Sequence, residues 1–200
     1  SQNQLREVMT DFWFNHFNVS VTKNDCAQFI PVYERDVIRP DALGKFGDLL
    51  KATAQSPAML YYLDNFSSSG PVNDGKTGRK AQGLNENYAR ELMELHTLGV
   101  DGGYTQQDVT QAARVLTGWT VYPMGENGKA QIERMNKQGE DKLARQGFVH
   151  DGDFLFAANR HDKDDKTILN KHFGPNGGYE EGIQLLDILA HHPSTAHFIC

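Results

Sequence analysis

Apolar residues recur at three- and four-residue intervals along much of this 200-residue chain, a period that belongs to the α-helix. Leu5, Val8, Met9, Phe12, Trp13 and Phe17 share one side of a first helix, and Glu7, Asp11 and Asn18 share the other. Each residue turns the helix by about 100°, which sets His16 in the middle of the apolar arc, between Phe12 and Met9. Pro40 opens a helix through Leu43, Phe46, Leu49 and Leu50. Ser56-Pro57 supplies an N-cap and a first-turn proline for another, through Met59, Leu60 and Leu63. Thr105 and Asp108 make a start signal for a helix whose Val109, Ala112, Ala113 and Leu116 share a face, with Gly118 placed to end it. Residues 180–190 restore a strong helical pattern, and Pro193 begins a last helix in "HPSTAHFIC". Apolar residues are still accumulating where the sequence stops, so the chain reads as a fragment of a longer protein.

Elsewhere the helical period fades. "WTVYP" and "DFLFAA" read as short strands separated by a polar insert. Residues 67–83, "SSSGPVNDGKTGRKAQG", read as a long surface loop; its "NDGKTG" lacks the alternating acids and closing Glu of a calcium loop. The expectation is a mainly α, multi-helix single domain over residues 1–200, with a small irregular or two-stranded β excursion around 119–160.

With 20 basic and 26 acidic residues the formal charge is -6, so no global positive field favours nucleic acid or an anionic membrane. No nucleic-acid partner is expected. Nor is a transmembrane segment, since no apolar run approaches the roughly 20 residues that span a bilayer. Cys26 and Cys200 form no C-x-x-C pair and read as ordinary thiols. The nucleophile elbow, the H-E-x-x-H zinc helix, the phosphate-binding Walker loop and the dinucleotide fingerprint are all missing from the sequence.

The segment "NENYARELMELH", residues 85–96, holds the sharpest question. On a helical wheel Tyr88, Ala89, Leu92, Leu95 and Leu98 define the apolar sector, while Glu86, Arg90 and Glu94 line the opposite side at pairing distance. Glu91 and His96 project into the apolar sector. A carboxylate facing a core costs several kcal/mol unless paired, protonated or bound to a cation, by about the magnitude of ion desolvation. His16, Arg114, Lys166 or a divalent metal could answer Glu91. A second group is "FLFAANRHDKDDKTIL", where His161-Asp162 and Lys166 could act as metal ligands or as an oriented base and cation. Adjacent side chains seldom aim at one point, and Lys163-Asp164-Asp165 reads as solvent-facing charge.

"FWFNHF", "SPAMLYYLDN", "NENYARELMELHTLGVDGGYTQQDV", "ARVLTGW" and "NRHDKDDKTIL" together resemble the bacterial family known as domain of unknown function 1800, from about Leu5 to the C-terminus. The resemblance maps the family pattern onto Asn15, His16, Asn65, Asn87, Tyr88, Arg90, Glu91, Glu94, His96, Tyr104, Thr105, Asp108, Arg114, Gly118, Trp119, His161, Asp162 and Lys166. One departure is Phe14, where the family often reads histidine in a "WHNHF" form. The resemblance also implies an exported, periplasmic or secreted protein and a partner from the family called domain of unknown function 1501.

Two functions are therefore expected. In the first, His16, Glu91, His96, His161 and Asp162 share an interhelical cleft as ligands of a divalent metal, with Glu91, His161 and Lys166 catalytic in a metal-assisted hydrolase or oxidoreductase. In the second, the same residues form a structural salt-bridge network in a non-catalytic binding or assembly module.

Overall fold

Fifteen residues at the N-terminus form α1, Gln2–His16, whose Trp13 and Phe17 sides turn inward while Leu5, Val8 and Phe12 stay exposed. The computed structural model describes residues 2–71 and 83–200; the greater part of the expected 67–83 loop lies outside the described residues. A short 3-10 turn, Asn24–Gln28, leads into a helical run made of α2 (Ile30–Val32), a π-helical stretch (Tyr33–Ile38) and α3 (Arg39–Asp41). Pro40 therefore lies near the end of a helical run and does not open the next one. The chain turns at Gly44, and α4, Phe46–Gln55, begins afresh. α5, Pro57–Tyr62, starts at Ser56-Pro57 as expected, although the Ser56 hydroxyl makes no capping bond.

α6 spans Glu86–Glu94 behind an Asn85 cap whose side chain accepts from the Asn87 N–H. α7 spans Gln106–Val115, and its capping box closes in both directions between Thr105 and Asp108. These two helices pack side by side, and Glu86 stitches them by accepting from Gln106 and Thr110. Beyond α7, Gly118 takes φ +82° and a Cβ there would meet the Ala157 carbonyl at 2.8 Å, so only glycine lets the chain enter the sheet at this point.

The β excursion is larger than the sequence suggests. β1 (Trp119–Val121), β2 (Val149–Asp151) and β3 (Phe154–Phe156) form an antiparallel sheet in the order β1-β3-β2, with Thr120 opposite Leu155. The polar insert between β1 and β2 is not irregular: it contains α8 (Gly125–Gln138) and α9 (Glu140–Arg145). A separate hairpin, β4 (Lys166–Ile168) with β5 (Lys171–Phe173), follows. α10 (Tyr179–Ala190) and α11 (Pro193–Ile199) complete the chain. The molecule is mainly α with two small antiparallel sheets. Buried apolar side chains from Trp13 and Phe17 through Leu92, Val109 and Trp119 to Leu189 form one cluster. Cys26 is buried and Cys200 exposed, and neither forms a disulfide. Among the described residues no helix is long and apolar enough to cross a membrane.

Candidate functional site

His16 closes α1, and its Nε2 lies 3.0 Å from the His96 carbonyl. A carbonyl only accepts, so Nε2 carries the hydrogen and Nδ1 of the neutral ring is left as an acceptor. His96 itself lies two residues beyond α6. There the His96 N–H returns to the Glu91 carbonyl, the Leu98 N–H to Met93 and the Thr97 hydroxyl to Leu92. This tightened end swings His96 inward, against Phe17 at 5.2 Å between ring centroids and His16 at 6.4 Å. Burial pushes the His96 pKa down to about 3, with a smaller push from His16. Burial also lowers the His16 pKa, against the bond to the His96 carbonyl.

Glu91 stands one turn earlier on α6 and is half-buried. Burial and the nearby Glu94 raise its proton affinity, and Arg90 offsets part of that rise. Its carboxyl has no hydrogen-bond or ion-pair partner among the described residues. His16, Glu91 and His96 line one cleft of about 390 Å³, with Asn18, Tyr62 and Asn87 on its walls. Lys23 also lines it, but its ammonium is bound to Asp64 at 2.8 Å. The wheels turn His16, Glu91 and His96 inward, where they line this cleft, and misplace Leu95, which is 49% exposed. The reason is local: α6 ends at Glu94, so the helical rotation does not continue through Leu95 and His96.

His161, Asp162 and Lys166 belong to a different place, between α7, the β4–β5 hairpin and α10. Asp162 receives a fork from Arg114, Nε at 2.8 Å and Nη2 at 3.1 Å, and accepts the Asp164 N–H at 3.0 Å. Burial alone would raise its pKa, but these donors hold it below the usual carboxylate value. Lys166 is buried, and its ammonium meets the Asp162 carbonyl, the Asp164 carbonyl and Glu181 Oε2 at 2.6, 2.8 and 2.8 Å. All three donors of the cation are satisfied. His161 turns Nδ1 to the Thr117 carbonyl at 2.9 Å and places Nε2 3.2 Å from Glu181 Oε2. That second contact is an ion-pair approach without hydrogen-bond alignment. Burial would raise the Glu181 pKa too, yet His161 and Lys166 together keep it lowered.

The expected five-residue set is therefore divided. His16, Glu91 and His96 face the cleft; His161 and Asp162 face opposite partners inside a buried network, as adjacent residues tend to. Arg90 and Glu91 are absent from that network, while Arg114, Asp162 and Lys166 are in it. Among the described residues no group of three or more His, Cys, Asp or Glu side chains converges as a metal cage requires.

Glu181 and Arg160 escaped the sequence reading. Glu181 was legible: it shares a helical face with Leu185 and Leu189, both buried, which marks it as an inward carboxylate of the same kind as Glu91. Arg160 was not, since its partners are the carbonyls of Phe66 and Ser68, some ninety residues earlier.

Position 14 can also be placed. Phe14 packs on Tyr33 at 6.0 Å between centroids and is not among the residues lining the cleft. No curated protein and no solved structure matches the chain. A family model does match, over residues 1–200, and its description is a protein of unknown function, DUF1800. Spanning the whole sequence, that match makes this chain a member of the DUF1800 family.

Proposed function

We propose that this protein is a binding module whose ligand enters the His16–Glu91–His96 cleft and presents a cationic, hydrogen-bond-donating group to Glu91. One observation carries the reading: a half-buried carboxyl with raised proton affinity and no hydrogen-bond or ion-pair partner among the described residues. An ionised carboxylate in that position is destabilising until a donor arrives. The rest of the cleft suits such a ligand. Both imidazoles are held neutral near pH 7, His16 keeps an acceptor nitrogen, and Lys23 on the wall is already neutralised by Asp64. In this reading the Arg114–Asp162 and His161–Lys166–Glu181 groups are scaffold, because their charges are buried and answered internally.

Calorimetric titration with primary-ammonium, guanidinium and divalent-metal probes tests it. Saturable binding of an organic cation, weakened at least tenfold by Glu91→Gln with a melting temperature no lower than the parent's, is the expected outcome. Tenfold corresponds to about 1.4 kcal/mol. Stoichiometric uptake of zinc, manganese or iron that depends on His16, Glu91 and His96 would instead support metal-assisted hydrolysis or oxidation at the same cleft. Glu91→Gln that binds like the parent would remove both.

A further inference from the structure

Away from that cleft's histidines and Glu91, the three-stranded sheet and helices α8–α9 leave space between them. They leave a groove of about 710 Å³, which reaches down to Thr120 and Arg160, and an adjoining cavity of about 550 Å³. Met135, Leu143, Phe148 and Leu155 line both, so the two spaces share an apolar wall. Volumes of this order accommodate an organic ligand of moderate size.

The base of the groove holds an unanswered cation. Arg35, Arg39, Arg90 and Arg114 each reach a carboxylate, but Arg160 reaches none among the described residues. Its Nη2 donates to the carbonyls of Phe66 and Ser68 at 2.8 and 2.9 Å, and Nη1 lies 3.4 Å from the Thr120 hydroxyl. Guanidinium has five N–H groups, so Nε–H and one Nη1–H have no acceptor among the described residues. Burial lowers the Arg160 pKa, and no carboxylate among the described residues offsets it. The two spare donors lie on different edges of the guanidinium, on either side of the occupied Nη2, so the arginine offers an anionic oxygen a charge and a single charge-assisted N–H contact.

We propose that this groove binds an anionic amphiphile, with a headgroup oxygen on a free N–H of Arg160 and its apolar chain along Met135, Leu143, Phe148 and Leu155. The headgroup carries the charge that the protein leaves out. The chain covers the side chains that α8 and α9 leave half-open above Leu155. Glu140 lines the far cavity, away from Arg160, and disfavours an anion there, which sets the direction in which the ligand lies.

The whole chain should be titrated with dodecanoate, dodecyl phosphate and dodecyltrimethylammonium, each below its micellar concentration. Both anions are expected to bind at one site, in competition, at least tenfold tighter than the ammonium compound, and their ratio reports which headgroup the arginine prefers. Arg160→Lys should weaken both anions several-fold, since an ammonium that holds the two carbonyls keeps one N–H where the guanidinium keeps two. Should Arg160 variants lose the fold with their backbone clamps, Leu143→Glu, on a helix without buried residues, must still weaken both anions at least tenfold. Equal binding of the cationic compound, no saturable binding of either anion, or indifference to Leu143→Glu overturns the proposal.

Discussion

Single side chains set the sensitivity of this fold to acid. His96 releases its proton at about pH 3 in the folded protein and near its ordinary 6.5 when unfolded. The folded state therefore binds fewer protons between those values, so the contribution of His96 is complete above about pH 6.5 and is lost as pH falls. His16 has the same sign. Glu91 has the opposite sign, because its raised proton affinity costs stability as pH rises through its folded value. Asp162 and Glu181, both lowered, contribute stability that is lost only below about 3.8 and 4.5, their ordinary values. In urea titrations from pH 6.5 down to 4.5, His96→Phe should flatten the decline seen in the parent protein, by up to about 1.4 kcal/mol per pH unit. An unchanged slope would show that His96 is not the responsible group. Breaking the buried network acts differently. Lys166→Met or Glu181→Gln alone should cost about 3–5 kcal/mol by urea unfolding at pH 7, whereas replacing both by apolar residues should recover much of that loss.

At the scale of helices and strands, the sequence declared most of what is helical because apolar side chains repeat with the period of a helix. The inward histidine of α1, the start of α5, the capping box of α7 and the last two helices were all legible for that reason. α8 and α9 were not: they present little apolar surface, so no period marks them. The β4–β5 hairpin was hidden inside a polar segment whose buried lysine finds its carboxylate partner, Glu181, on the distant α10. Half of the candidate cleft could be read from two wheels, while its closure at His96 depended on where α6 stops. One helix contact is especially tight. A Cβ on Gly182 of α10 would meet Trp119 Cε2 at 2.6 Å, so α10 lies on the indole itself. Gly182→Ala is expected to lose about 1–3 kcal/mol or more through overpacking, with Trp119 fluorescence altered in the folded state. A neutral effect on both would mean that the strand and helix can separate at little cost.

For the molecule as a whole, the apolar cluster that joins Trp13 to Leu189 implies concerted unfolding. Trp13 and Trp119, the only two tryptophans, lie in different parts of that cluster. Single-tryptophan variants made by Trp13→Phe and Trp119→Phe should therefore report the same urea midpoint, once each is compared with its own circular dichroism. Separate midpoints would divide the chain into independent units. Concert is also enforced by Asp108. Burial alone would raise its pKa, but bonds from Thr105 and Leu169 lower it. One carboxylate oxygen completes the cap of α7, and the other takes the Leu169 N–H at 2.7 Å, in a turn where Leu169 and Asn170 both hold positive φ. Leucine resists that conformation by about 1–2 kcal/mol. A clasp of this kind gives one proton two addresses: as acid neutralises Asp108, the amides of Thr105 and Leu169, far apart along the chain, should begin exchanging with solvent in step.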